Sequence, residues 1–181
     1  YYNINGDNME KQLSTKCIYD GVVVKVKKDE VLCENGITSI RECVSAPGGV
    51  AILAVIDHKV LLVKQYRYVV QEETIELPAG KIEPNEDLAI CALRELEEET
   101  GYRCDNLEFL ISVKTTVAFC NEAIDIYVAR NLVPSKQNLD EGEFLNVSKH
   151  SLDDLYQMVM DNKIYDCKTA IAILKAKAIL G

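Results

Sequence analysis

Tryptophan is absent from these 181 residues, histidine occurs twice, proline four times and phenylalanine three times. The two histidines, His58 and His150, lie far apart and read as surface residues, so there is no histidine cluster of the kind that holds zinc. Basic residues are also short: 20 Lys and Arg against 29 Asp and Glu give a net charge of −9 and an isoelectric point near 4.8. A surface of that sign argues against a nucleic-acid partner, but it can still take a small polyphosphate if metal and a few arginines screen the site. No apolar run reaches membrane-spanning length, and no charged-then-apolar leader is visible. The seven cysteines, Cys17, Cys33, Cys43, Cys91, Cys104, Cys120 and Cys167, are odd in number and include no CxxC pair. They read as reduced, mostly buried thiols of a cytoplasmic protein, neither a disulfide framework nor a zinc site.

What the chain does have is an acidic, helix-forming stretch from Gly80 to Tyr102, GKIEPNEDLAICALRELEEETGY. Pro84 and Asn85 interrupt the preceding strand, Asn85 can cap a first turn rich in acid, and Gly101 supplies a C-terminal stop, so a helix is expected over about Glu86 to Thr100. At 3.6 residues per turn Glu95 and Glu99 stack on one face with Glu98 beside them, next to an apolar stripe of Ala89, Ala92, Leu93 and Leu96. Like charges at that spacing are unfavourable by a few tenths of a kcal/mol, roughly, per pair. A divalent cation would offset the repulsion, and oxygen-only ligands suit Mg²⁺ or Mn²⁺. A solvated acidic face, with Arg94 paired to Glu98, is the alternative.

Residues 1–15 are expected to be an extension without structure of their own, the first eight preceding a candidate start at Met9. Residues 16–46 carry two β-rich runs, IYDGVVVKVKKDEVLC and ITSIRECV, divided by an Asn35-Gly36 turn, and form a small sheet that must pack on something, such as a partner protomer. SAPGG at Ser45 to Gly49 reads as a hinge. Residues 47–181 form the main domain, beginning with strands Val50 to Ile56 and Val60 to Val63 around an Asp57-His58-Lys59 turn. Further on, Ser151 opens a helix with Asp154 completing a capping-box-like pattern, and Lys168 to Leu180 forms a last amphipathic helix. Tyr66, Arg67 and Tyr68 read either as an ordinary strand end or as a phosphate- and base-contacting group.

The acidic stretch as a whole resembles the Nudix box: Gly80, Glu86, Arg94, Glu95, Glu98, Glu99 and Gly101 match its seven fixed positions, an agreement on the order of one window in 10⁸ by chance. Only the last position departs, with Tyr102 in place of a bulky aliphatic. Outside the box, RECVSAPGGVAILA, QYRY, ELPAGKIE, FCNEAIDIYVARNL, DEGEFLNV and KIYDCKTAIAIL resemble ADP-ribose pyrophosphatases, over roughly Ile18 to Leu180. This resemblance implies an α/β/α sandwich around a mixed sheet, preceded by the small antiparallel N-terminal sheet. It implies hydrolysis of the pyrophosphate of ADP-ribose, or of a similar ADP-sugar, to AMP and a sugar phosphate, with two or more Mg²⁺ or Mn²⁺ ions. The expected metal ligands are Glu95, Glu98, Glu99 and the Ala79 carbonyl. Arg94 orients the glutamates, Gly80 lets the backbone approach, and Glu86 ties down the loop. Glu141, with Glu143 second, is the expected general base. Arg67, Tyr66 and Arg41 are the expected substrate contacts, Arg41 acting across a homodimer that exchanges its N-terminal sheets. Thr116-Val117-Ala118 replaces a family Ser-Pro-Gly run, so the loop facing the terminal ribose is expected to differ in shape. GDP-mannose, a flavin or a dinucleotide remain alternative substrates. A binding module without turnover remains an alternative class, one expected to lose the box glutamates that are kept here.

Overall fold

In the computed structural model, which describes residues 10–180, the chain divides into two units, Tyr1–Pro47 with Lys114–Glu122 and Gly48–Val113 with Ala123–Gly181. The first unit contains three antiparallel strands in the order β1-β2-β3: β1 Lys11–Asp20, β2 Lys25–Leu32 and β3 Thr38–Ser45. The run IYDGVVVKVKKDEVLC, expected as one β segment, is therefore parts of two strands, because Gly21 donates to the Val24 carbonyl (3.0 Å) and reverses the chain. The extension expected over residues 1–15 is likewise corrected: β1 begins at Lys11, and residues 1–9 lie outside the described residues. The Asn35-Gly36 turn forms as read, with Gly36 at φ 78° and Asn35 Oδ1 accepting from Ile37 N at 3.0 Å. Thr116-Val117-Ala118 sits in the segment that docks on β3: Val44 N donates to Phe119 O (2.7 Å), and Asn121 N returns a bond to Val44 O (3.2 Å).

The second unit is built on a seven-stranded mixed sheet. Its path is β12-β5-β4-β10-β9, comprising β4 Gly49–Ile56, β5 Lys59–Arg67, β9 Leu107–Lys114, β10 Ala123–Ala129 and β12 Leu145–Ser151, with β6 Glu72–Glu76 on β5 and β7 Ala79–Lys81 on β4. A short pair, β8 Tyr102–Arg103 and β11 Val133–Pro134, lies apart. β4 and β10 run parallel, while β4 with β5 and β5 with β12 run antiparallel. Alternation along β4 explains the layers. Val50, Ile52 and Ala54 pack with Cys91, Ala92 and Leu96 of α1 (Leu88–Thr100). Ala51 and Leu53 pack with Leu155 of α2 (Leu152–Met160) and Ala172, Ile173 and Ala176 of α3 (Cys167–Leu180) on the other face. A central strand buried on both sides is why GVAILAVI is almost wholly apolar. Seven free thiols are present, but only Cys91 and Cys104 are buried, fewer than expected.

Candidate active site

Helix α1 starts two residues later than the sequence suggests. Pro84 and Asn85 form a turn in which Glu86 N donates to Glu83 O (3.1 Å) and Asn85 takes φ 65°, so the cap passes to Asp87, whose Oδ1 accepts from Ala89 N (2.9 Å) and Ile90 N (3.3 Å). At the far end Gly101 is left-handed (φ 70°) and donates to Glu97 O at 2.9 Å. A Cβ there would lie 3.1 Å from Gln137 N in addition to the strained φ. Gly101→Ala is expected to lower stability by about 1–2 kcal/mol, read as a shift in the denaturation midpoint.

Arg94 organises the acidic face. Its Nε and Nη2 grip Glu86 side-on (2.8 and 3.0 Å), and its Nη1 reaches Glu95 (2.8 Å) and Glu98 (2.9 Å). Glu86 also accepts from Glu83 N at 3.0 Å, so it pins the loop to the helix as expected, though from outside the cap; the Arg94 hydrogen bonds hold its carboxyl down at about 2. Cys91 sits among these groups, but burial pushes its thiol up to about 12, which makes it inert as a nucleophile at neutral pH.

Glu95 and Glu99 point from α1 to the backbone of β7. The Glu95 carboxylate occupies the space that a Cβ at Gly80 would fill, and Glu99 Oε2 accepts from Ala79 N at 2.9 Å. Glu99 is 4% exposed. Burial pushes its carboxyl up to about 8; the Ala79 N–H opposes this, the charges of Glu143 and Glu95 add to it, and Arg67 again opposes. Glu95 is raised too, first by burial, with Arg94 opposing. The buried, poorly neutralised Glu99 beside a second carboxylate, both against the backbone of β7, is a cation-attracting arrangement.

A loop closes over the C-terminal end of α1. Ser135 N donates to Gly101 O (2.7 Å), Gln137 Nε2 to Glu99 O (2.6 Å) and Asn138 N to Glu98 O (2.9 Å), so the helix's last carbonyls are taken by this loop rather than by water. Sequence reading missed Gln137 and Asn138. Downstream, Glu143 accepts from Gln65 Nε2 and Asp140 N, both at 3.4 Å, and its charge acts on Glu95 and Glu99. Glu141 is exposed and is not among the groups acting on either carboxylate.

Of the three expected substrate contacts, Arg67 and Tyr66 are neighbours on β5 that face opposite sides of the strand. Arg67 ends β5 and grips the 3% exposed Glu76 with Nε and Nη2, both at 2.7 Å. Tyr66 lies on the opposite face of β5, lining a cavity of about 360 Å³ with Lys64, Leu139 and Phe144. Arg41 belongs to the other unit, where it pairs with Glu10 and donates to Ser39 Oγ (3.0 Å). Glu76 itself is a residue that nothing in the sequence singles out. Besides Arg67 it accepts from Lys168 Nζ (2.6 Å) and Thr74 Oγ1 (2.6 Å). Burial would raise its carboxyl, but the hydrogen bonds of Arg67 and the charge of Lys168 outweigh that and hold it at about 2. Being lower in the folded than in the unfolded chain, this pKa contributes stability that is fully present above about 4.5 and is lost as pH falls toward 2, on the order of 3 kcal/mol. Thermal melts of the protein and of Glu76→Gln are therefore expected to differ most near neutral pH, to draw together below about pH 4 and to meet only below about pH 2.

The NUDIX domain model matches residues 46–167, the stretch that holds this site. The chain belongs to the NUDIX family. Among its NUDIX relatives it is 45% identical to a methanol dehydrogenase activator of Bacillus methanolicus over 168 residues, covering 91% of this chain and 90% of that one. It is 40% identical to an ADP-ribose pyrophosphatase of Bacillus subtilis (strain 168) over 167 residues, with the same coverage. The fold matches the crystal structure of an ADP compounds hydrolase with TM-score 0.86 at 22% identity, covering 94% of each chain.

Divalent-metal dependence is general among NUDIX hydrolases, and the residues here fit such an ion. Among the described residues no three Asp, Glu, His or Cys side chains are placed to hold a metal ion, and Arg94 Nη1 takes an oxygen of both Glu95 and Glu98. The donor set is nonetheless all oxygen, and Glu95 and Glu99 are already seated at the Ala79–Gly80 backbone. Glu99, buried with a carboxyl raised to about 8, is the group a cation would relieve most.

Proposed function

We propose that this protein hydrolyses the pyrophosphate bond of ADP-ribose, or of a similar ADP-sugar, to AMP and a sugar phosphate, using Mg²⁺ or Mn²⁺. The observation that carries this reading is the seating of Glu95 and Glu99 against Ala79–Gly80 in a chain 40% identical to an ADP-ribose pyrophosphatase. Glu95, Glu98, Glu99 and the Ala79 carbonyl are the proposed ligands of two or more ions, which when bound would neutralise pyrophosphate charge and acidify a water. Arg94 keeps Glu95 and Glu98 oriented while leaving Glu99 to be neutralised by the ion. Arg67 offers its guanidinium to a phosphate oxygen. Glu143, whose charge reaches both inner glutamates, takes the proton of the attacking water as that oxygen bonds to phosphorus and the bridging P–O bond breaks. Glu141, two residues earlier, becomes the second choice.

Assays over ADP-ribose, GDP-mannose, FAD and a dinucleotide, with phosphatase-coupled phosphate release and with or without Mg²⁺, test the reaction. ADP-ribose is expected to be the preferred substrate by more than about tenfold, and a reversed preference overturns the assignment. Glu143→Gln is expected to lower kcat by about 10²- to 10⁴-fold and Glu141→Gln by less than about threefold; the opposite ranking returns the base to Glu141. A homodimer with exchanged N-terminal sheets fits a three-stranded sheet whose strand β1 is exposed throughout and shows Leu13, Ile18 and Tyr19. Arg41 would then serve a partner's nucleotide, and sedimentation of the chain with and without residues 1–46 checks the dimer. The 45% identity to a methanol dehydrogenase activator supports a second reading, stimulation of an alcohol dehydrogenase, which an assay of that enzyme with added protein decides.

A further inference from the structure

Helix α3 meets the end of β6, and the reaction above gives neither element a task. Thr74, Glu76 and Leu77 lie on or beside this strand, and Lys168 and Thr169 begin α3, 92 residues further along the chain. Lys168 is 8% exposed and stands in the first turn of a helix, where the backbone dipole disfavours a cation. It is kept there by Glu76 (2.6 Å) and Asp166 (3.0 Å). Thr169 Oγ1 accepts from Leu77 N (2.8 Å) while donating to Asp166 Oδ2 (2.6 Å), so the strand's backbone is tied to the same helix. Glu76 is thereby fixed from three sides, by Thr74 on Oε1, Lys168 on Oε2 and its own strand.

Onto this fixed carboxylate Arg67 docks side-on, with Nε on Oε1 and Nη2 on Oε2. That grip uses two of the five guanidinium N–H donors, and among the described residues no protein acceptor takes Nη1. Arg94 shows the same geometry on Glu86, with Nη1 turned to its functional partners. Arg67 is 45% exposed at its side chain against 4% for Glu76, so the free edge of the fork faces out of the buried network. Its charge also reaches Glu99.

We infer that Glu76 is a positioning residue: held by Thr74 and by Lys168 of α3, it aims the free Nη1 edge of Arg67 at a phosphate of the substrate pyrophosphate. This rests on the proposed reaction for its substrate and gives α3 a role in the site beyond covering the sheet. Two-point pairing explains why an arginine stands here, since a lysine cannot be oriented by a carboxylate and still present donors in a fixed direction.

The test keeps the charge and changes only the reach. Glu76→Asp retains the carboxylate but shortens its arm, so Arg67 is pulled back or released. It is expected to raise the KM for ADP-ribose about tenfold with kcat within about threefold, and to weaken binding of inorganic pyrophosphate, measured by calorimetry without divalent metal, by a similar factor. In an Arg67→Ala background the same change is expected to have no effect on either quantity, because there is no fork left to aim. Equal losses in both backgrounds, or unchanged pyrophosphate binding in Glu76→Asp, overturn the inference. Lys168→Met, which removes the hold of α3 on Glu76 Oε2, is expected to weaken pyrophosphate binding about threefold when Arg67 is present and not at all in the Arg67→Ala background, and unchanged binding with Arg67 present would take α3 out of the inference. If Glu76→Asp does not fold, Thr74→Val, which removes only the hydroxyl on Oε1, carries the same test with about a threefold effect expected. Failure of the unaltered protein to cleave ADP-ribose would fall on the proposed reaction, whereas the pyrophosphate measurement decides this inference without turnover.

Discussion

Glu99→Gln is expected to lower kcat/KM for ADP-ribose by about 10³-fold, on the order of 4 kcal/mol of transition-state stabilisation, and at the same time to raise the melting temperature of the metal-free protein. Both effects follow from where Glu99 sits. It is 4% exposed, among the described residues its carboxylate accepts one hydrogen bond, from Ala79 N, and Glu95 and Glu143 crowd it with like charge. A buried, under-neutralised carboxylate destabilises the fold. Glutamine keeps the oxygen that accepts from Ala79 and removes the charge, so packing and the hydrogen bond survive while the proposed metal would lose a ligand charge. Glu98, with a side chain 32% exposed and already paired to Arg94, has less to lose. Glu98→Gln is expected to cost about tenfold in activity and to leave the melting temperature nearly unchanged. Steady-state kinetics beside differential scanning calorimetry in chelator read both quantities. Loss of activity accompanied by loss of stability in Glu99→Gln would mean a folding defect and would remove Glu99 from the ligand set.

How far the sequence could be read depended on how far apart the interacting residues are. The i,i+4 stacking of Glu95 on Glu99 and of Arg94 on Glu98 is local, and the helix delivers both as expected. The cap was misjudged by two residues because Asn85 and Asp87 are both good caps, and only the turn that places Asn85 at φ 65° decides between them. β4 was legible because burial on both faces leaves an unbroken apolar run. The split of the first β-rich run at Gly21 was not, since valines follow that glycine where polar turn residues are the usual sign. The grip of Glu76 on Arg67 is not legible in the sequence, because the carboxylate lies on the neighbouring strand, nine residues on, and is itself fixed by Lys168 from the far end of the chain. Glu141 and Glu143 were a choice between two acids in one loop. The reversal at Gly142, with φ 86° and Glu143 N bonded to Asp140 O (3.0 Å), separates them by turning Glu143 toward Gln65.

Gly80→Ala is expected to abolish most activity, about 10²- to 10³-fold in kcat, with a change in stability of less than about 1 kcal/mol. The backbone of Gly80 is not in the left-handed region, so strain is not the reason for glycine here. The reason is proximity: the Glu95 carboxylate lies where the methyl would go, and a side-chain end can swing away at little cost to the fold. Swinging away takes Glu95 off the Ala79–Gly80 backbone and off Arg94 Nη1 (2.8 Å), which would dismantle the proposed ligand set without unfolding anything. Gly49→Ala makes the contrast. Its new methyl would meet the Gly80 carbonyl oxygen at 2.9 Å, a backbone atom held in the β4–β7 pairing, so the strands themselves must part. That variant is expected to lose stability first, by about 1–3 kcal/mol, and activity only in proportion to the unfolded fraction. Denaturant midpoints and kcat measured on the same preparations separate the two patterns. An active Gly80→Ala protein would show that Glu95 does its work from some other position than against this backbone, and the pairing of Glu95 with Glu99 as metal ligands would have to be given up.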